Sequence, residues 1–206
     1  MRRFPTAAGT AGALRGGALV AHPTTGLWGI AADPLHKAAL AKLDRLKLRA
    51  PGRGYIAVAG SAALFDGWYA ADAVVSGLLS AEFAGPVTLI CAAGPGAPTG
   101  TVASDGTVAI RVERHPAVIA LAAALGRPLL STSLNLGGEV PAADPWHLSP
   151  ALADALVGVY ACEPTPAGLA STMVAWRAPW LVCLRRGAVD PQLVAAAAGV
   201  SLQRLP

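Results

Sequence analysis

The chain has 206 residues, 54% hydrophobic and 14% charged, and its 16 Lys and Arg against 12 Asp and Glu give a net charge of +4. Such a length and apolar content support one substantial α/β core and exclude a disordered segment. The small positive excess suits an anionic ligand without demanding a polynucleotide, and no Lys/Arg block suggests a nucleic-acid arm. The uncharged stretch from Phe83 to Ser104 is broken by Gly85, Pro86, Gly94, Pro95, Gly96, Pro98 and Gly100, which excludes a membrane helix there. Cys91, Cys162 and Cys183 are widely spaced in or beside apolar runs and read as core thiols of a reducing, cytoplasmic compartment. His22, His36, His115 and His147 are scattered, so no protein-ligated metal is expected.

In chain order, Ala7 to Gly16 reads as an Ala-rich helix leading to a strand at Ala18–Ala21. The turn His22 to Gly29 follows, and a helix is expected from Pro34, with Asp33 as its N-cap. Leu35, Ala39, Leu43 and Leu46 recur on one face of that helix. Lys47, Arg49 and Arg53 then leave it on a loop that can close over the Thr24 turn. Hydroxyls, glycines and three cations suit a phosphate-bearing ligand, although Thr/Gly turns also simply turn and basic residues also favour a helix C-terminus.

Tyr55–Ala59 reads as a strand, Phe65–Ala81 as a helix with Trp68 and Tyr69 in the core, and Val87–Ile90 as a strand followed by a Gly/Pro-rich loop. In the strand Thr107–Val112 the alternation puts Thr107, Ala109 and Arg111 on one face and Val108, Ile110 and Val112 on the other. Arg111 needs a partner, either an acid or a ligand anion. A helix from Pro116 to Leu125 leads to Leu129–Gly138, where Ser131, Thr132, Ser133 and Asn135 end an apolar strand. Ligands of open α/β sheets bind at such strand ends, and an ordinary polar turn has the same composition. Further on come a helix near Ala151–Leu156, strands at Val157–Cys162, Ser171–Trp176 and Trp180–Leu184, a helix at Pro191–Ala198 and a tail. A lead-in over residues 1–17, a domain over 18–190 and a C-terminal helix and tail of the same domain over 191–206 are expected, with no internal repeat.

Taken in order, Pro23-Thr24-Thr25-Gly26-Leu27-Trp28-Gly29, Leu46-Lys47-Leu48-Arg49, Gly85-Pro86-Val87-Thr88, Thr107-Val108-Ala109-Ile110-Arg111-Val112, Ser131-Thr132-Ser133-Leu134-Asn135 and Ser171-Thr172-Met173-Val174 resemble the YrdC/Sua5 family of threonylcarbamoyl-AMP synthases. The resemblance implies a single α/β domain, with a large twisted mixed sheet and flanking helices around a basic cavity. It implies that ATP, L-threonine and bicarbonate give threonylcarbamoyl-AMP and pyrophosphate for tRNA modification. Lys47 and Arg49 would carry the catalysis, and Arg53, Thr107, Ser133, Asn135 and Arg185 would bind the nucleotide. Thr24, Thr25, Arg111, Ser131 and Ser171 would surround threonine. Mg²⁺ would come with ATP, and the implied partners are other tRNA-modification proteins, with tRNA contact allowed and no membrane. Gly26 stands where many members carry a threonine, and Gly137 where they carry a serine; Ala50 and Ala84 replace prolines and Leu134 an alanine. A non-catalytic RNA-binding or ribosome-maturation module and a paralogous carbamoyl-transfer enzyme are the competing readings.

Overall fold

The computed structural model describes residues 1–49 and 52–203. The chain runs through β1 (Arg2–Arg3), α1 (Ala7–Arg15), β2 (Val20–Pro23), β3 (Trp28–Ala32), α2 (Lys37–Lys47), β4 (Ile56–Ala59) and α3 (Ala73–Ser80). It continues through β5 (Val87–Ala92), β6 (Thr107–Val112), α4 (Pro116–Leu125), β7 (Leu129–Ser133), α5 (Pro150–Ala155) and β8 (Gly158–Val159). β9 (Thr172–Arg177), β10 (Trp180–Arg185), α6 (Pro191–Ala197) and β11 (Ser201–Gln203) complete it. One mixed sheet holds all the strands in the order β1-β8-β2-β3-β7-β4-β6-β5-β9-β10-β11. The expected α/β class with a large mixed sheet and flanking helices is what forms.

Capping chemistry sets several boundaries. Pro116 occupies the first turn of α4, His115 Nδ1 accepts from Ala117 N at 3.1 Å, and Gly126 closes the helix in the left-handed region at φ 76°. These bounds agree with the expected ones. α2 differs, because its N-cap is His36, whose Nδ1 accepts from Ala39 N. Asp33 instead holds the Leu35 N–H at 3.0 Å and takes both arms of Arg127, at 3.0 and 2.8 Å. Asp33 closes a turn onto Leu35 while pairing with Arg127, His36 takes the cap, and the helix starts three residues after Pro34. Leu35 is consequently exposed, while Ala39 and Leu43 are fully buried. The helix expected over Phe65–Ala81 also starts later, at Ala73, where Asp72 Oδ1 accepts from Val74 N and Val75 N. Gly67, at φ 72°, turns the chain before it, and Trp68 packs edge-on against Phe65 in the core.

Four strand expectations need correction. The strand expected at Ala18–Ala21 begins at Val20, and Ser201–Gln203 of the expected tail form β11, parallel to β10. Trp28–Ala32 is a strand antiparallel to β2, so the turn shrinks to Thr24–Leu27. Its Gly-Ile-Ala-Ala run is buried throughout and therefore lacks alternation. Of Val157–Cys162 only Gly158–Val159 pairs, between β1 and β2.

On β6, Val108 and Ile110 are buried on one face, whereas Thr107, Ala109 and Arg111 line a cavity on the other, as the alternation requires. β7, between β3 and β4, buries Leu129 and Leu130 completely and supports Ser131–Ser133 at its end. Leu130→Ala should therefore lower the unfolding free energy by about 2–5 kcal/mol, read from urea denaturation followed by circular dichroism.

Candidate functional site

The cavity on this face has a volume of about 740 Å³, within the usual range for small-ligand sites. Its walls come from the β2–β3 turn, the segment around Arg49–Ile56, β6, the end of β7, and the start of β9 with the end of β10. Arg49, Arg53, Arg111, Arg177 and Arg185 line it against a single acid, Asp105. Thr24, Thr107, Ser131, Ser133 and Ser171 bring hydroxyls to the same space.

Main-chain carbonyls orient two of these cations, Arg49 and Arg185. Arg49 donates to the Arg53 carbonyl at 2.9 Å and to the Gly54 carbonyl, and lies 4.0 Å above the Tyr55 ring. Tyr55 is itself anchored by donating to Asp44 Oδ1 at 2.7 Å. Arg185 donates to the Ser171 carbonyl at 3.1 and 2.9 Å and to Ser171 Oγ at 2.9 Å, and that hydroxyl also meets Thr88 Oγ1. Carbonyl partners fix the guanidinium planes without neutralising them, which preserves their attraction for an anion.

Arg111 is different. It is buried, its Nη2 lies 3.3 Å from Glu113 Oε2, and its Nε has no hydrogen-bond partner. Glu113 Oε1 accepts from Arg114 N at 3.0 Å, from Thr25 N at 3.2 Å, from His115 N at 3.3 Å and from the Thr25 hydroxyl. Burial pushes the Glu113 carboxyl up, but the Arg111 charge and the Thr25 and His115 donors outweigh it and hold it below the usual range. The choice left open for Arg111 between an acid and a ligand anion has an acid, Glu113, on one side, and Arg111 also lines the cavity.

Nine of the twelve expected site residues line the cavity: Thr24, Arg49, Arg53, Thr107, Arg111, Ser131, Ser133, Ser171 and Arg185. Thr25, Lys47 and Asn135 do not. Thr25 is turned onto Glu113. Lys47 Nζ donates to the Ser133 and Asn135 carbonyls at 3.0 Å each, to Asn135 Oδ1 at 2.6 Å and to Ser133 Oγ at 3.4 Å, so it stands behind Ser133. Asn135 Nδ2 donates to the Leu136 and Glu139 carbonyls. The Thr24 hydroxyl is used within its own turn, donating to Leu27 O at 2.7 Å and accepting from Leu27 N at 3.1 Å. Thr107 Oγ1 donates to Asp105 Oδ1 at 2.6 Å. Ala50 and Pro51, in the expected basic loop, lie outside the described residues.

Sequence reasoning missed Glu113 and His22. Glu113 lies two residues beyond Arg111, and period-two spacing was the available signal. His22 had none: its Nε2 lies 2.9 Å from Ser131 Oγ, and a Cβ on Gly29 would come within 2.7 Å of that hydroxyl and 2.9 Å of that ring. Among the described residues no cluster of three or more His, Cys, Asp or Glu could hold a metal ion, and no helix is long and apolar enough to cross a membrane.

The model of the Sua5/YciO/YrdC family, described as telomere recombination, matches residues 12–187. The chain belongs to that family. A threonylcarbamoyl-AMP synthase of Stenotrophomonas maltophilia is 37% identical over 162 residues, covering 74% of this chain and 87% of the relative. Sua5 of P. abyssi complexed with L-threonine superimposes with a TM-score of 0.82 at 23% identity, over 98% of this chain and 61% of that one. This chain thus spans about three fifths of that Sua5. YciO of E. coli gives a TM-score of 0.80 at 22% identity over 89% of this chain and 90% of that one. These two structures confirm the Sua5/YciO/YrdC fold.

His22 gives the site an acid-sensitive element. Burial, followed by the Arg111 charge, lowers its imidazole from 6.5 to about 4, with Glu113 opposing and His115 adding to the shift. A base whose folded value is lowered binds fewer protons folded than unfolded between those limits, so stability falls as pH drops from about 6.5 to about 4. The urea midpoint should decline across that window, and His22→Asn should lose less stability over the same interval. Parallel declines in both proteins would contradict a neutral buried imidazole.

Proposed function

We propose that this protein is an L-threonylcarbamoyladenylate synthase, joining ATP, L-threonine and bicarbonate into threonylcarbamoyl-AMP and pyrophosphate for tRNA threonylcarbamoyladenosine modification. The observation that carries this reading is the division of the cavity wall. One part presents Arg49 and Arg53 with Thr107 and Ser133, while the other presents Arg111, backed from outside the lining by Glu113, with Ser131 and Ser171. A polyphosphate needs cations and hydroxyl donors; an amino acid needs a cation for its carboxylate beside hydrogen-bonding groups. Relatives named threonylcarbamoyl-AMP synthase, up to 87% of whose length is matched, support the same reading.

The threonine amine first loses a proton and attacks the bicarbonate carbon, giving a carbamate and releasing water. A carbamate oxygen then attacks the α-phosphorus of ATP, the bond from that phosphorus to the bridging oxygen breaks, and pyrophosphate leaves with the electron pair. Both steps bring anions together, so positioning and charge stabilisation dominate. Arg111 grips the threonine carboxylate, Ser131 and Ser171 flank it, and Thr24 and Thr25 shape that wall. Arg53, Thr107, Ser133 and Arg185 hold the nucleotide. Arg49 meets the charge that develops at phosphorus, and Lys47, with Asn135, sets Ser133. Mg²⁺ would come with ATP, held by phosphate oxygens and water. Use of the product on tRNA favours the cytoplasm as its compartment and other tRNA-modification proteins as partners.

The test is pyrophosphate release from ATP with Mg²⁺ and bicarbonate, with and without L-threonine. Release requiring threonine and bicarbonate together supports the synthase. ATP binding without release points to a paralogous carbamoyl-transfer enzyme, and no ATP binding to an RNA-binding module. Arg49→Ala and Arg111→Ala should each cut turnover at least about a hundredfold, with nucleotide affinity lost chiefly in the first. Full activity in both would overturn the site assignment.

Burial, reinforced by the nearby Arg49 charge, lowers the Lys47 ammonium from 10.5 to about 8. The cation that organises Ser133 and Asn135 is therefore lost as pH rises through that value. kcat/KM for ATP should fall above about pH 8, whereas in the kcat profile, which reports the enzyme with its anionic substrate bound, the same limb should lie higher. Steady-state kinetics between pH 6.5 and 10 in Lys47→Arg should show the limb displaced upward.

A further inference from the structure

Of the two leucines that stand out to solvent on the cavity wall, Leu184 and Leu169, Leu169 is the more exposed. It is 56% exposed, takes no part in the hydrophobic core and lines the cavity. Ligand sites are lined chiefly by apolar side chains with a few polar groups that fix orientation, so a leucine on this wall is available to the apolar part of a ligand.

The main chain fixes where that side chain stands. Ala167 N donates to the Thr25 carbonyl at 3.1 Å and Gly168 N to the Gly26 carbonyl at 2.8 Å, so the segment lies along the β2–β3 turn. Pro164 O is held by His115 Nε2 at 2.6 Å, and Ala170 O by Ala188 N at 2.9 Å. Gly168, at φ 80°, supplies the left-handed turn between these anchors. A Cβ at residue 26 would overlap the Leu169 carbonyl oxygen, so only glycine lets the two chains close to this distance. Thr25 is tied through Glu113 to Arg111, and Ser171 follows Leu169 by two residues. Leu169 therefore belongs to the Arg111 and Ser171 end of the cavity.

We infer that Leu169, seated by Gly26, covers the methyl group of the amino-acid substrate and makes the site select threonine over serine. The inference rests on the proposed function for the identity of that substrate. Threonine and serine share the carboxylate, amine and hydroxyl and differ by one methyl, so Arg111 and the serine hydroxyls hold both alike. An apolar contact is the group that tells them apart. One methyl in a pocket supports roughly 10–200-fold discrimination.

The test compares kcat/KM for L-threonine and L-serine in the wild type, Leu169→Ala and Gly26→Ala, with pyrophosphate release as the readout. Leu169→Ala should lower the threonine/serine ratio about tenfold through a higher KM for threonine, with the KM for ATP unchanged. Gly26→Ala, which must push the 167–169 segment away, should lower the same ratio in a protein that remains folded by circular dichroism. An unchanged ratio in Leu169→Ala, or a loss shared equally by ATP and both amino acids, would overturn the inference. If the wild type releases no pyrophosphate, the functional reading fails first. Calorimetric binding of the two amino acids then decides Leu169 separately: equal threonine/serine affinity ratios in wild type and Leu169→Ala overturn it.

Discussion

The buried Arg111–Glu113 pair is the constraint around which the site is arranged. A guanidinium taken out of water without a counter-charge costs several kcal/mol, so a cation at the end of a central strand requires an acid beside it. Glu113, once buried, needs donors of its own, and it finds them on three pieces of chain: Thr25 in the β2–β3 turn, Arg114 in its own loop, and His115 at the start of α4. One carboxylate oxygen thus ties the end of β6 to the turn and to the helix. Arg111 keeps a buried, unpaired Nε after this, so the pair with Glu113 leaves part of its guanidinium unsatisfied.

Close backbone approach is the second device. Gly29 leaves room for the His22–Ser131 hydrogen bond, Gly26 for the Leu169 main chain, and Gly137 for the Lys47 carbonyl, which a Cβ would overlap. The last two stand where the resemblance leads one to expect threonine and serine. Their side-chain space is occupied by main chain of another segment, so these departures are built into how this chain closes its cavity walls. The same crossing at Gly137 keeps the end of α2 against the Asn135 turn, where Lys47 meets both Ser133 and Asn135.

What the sequence revealed depended on how local the deciding physics was. The two faces of β6 follow from period-two alternation, and the limits of α4 from His115, Pro116 and Gly126, all within or beside the element itself. β3 was hidden because a strand buried on both faces has no alternation to read. Asp33 failed as a cap because its partner, Arg127, is 94 residues away. The ordered motifs gathered nine of twelve expected side chains around one cavity, whereas the positions of Thr25 and Lys47 were set by long-range partners at Glu113 and Ser133. β11 depends wholly on pairing with β10, which nothing within Ser201–Gln203 announces.

The way charges are satisfied differs between the two ends of the cavity, and that difference has chemical content. Arg49 is held by the carbonyls of Arg53 and Gly54 and by the Tyr55 ring, none of which carries a negative charge, so that end keeps its field. Two acids stand near that end: Asp105, engaged by the Thr107 hydroxyl and amide and 3.9 Å from Arg177, and Asp44, which holds the Tyr55 hydroxyl behind Arg49. Arg111 is backed by a full carboxylate that offsets part of its charge, and Arg185, held on Ser171, is the second cation near it. On the proposed function, the first arrangement serves the triphosphate and the second the amino-acid carboxylate. A cavity lined uniformly with free arginines would bind polyphosphate at both ends and would have no means of orienting an amino acid between them.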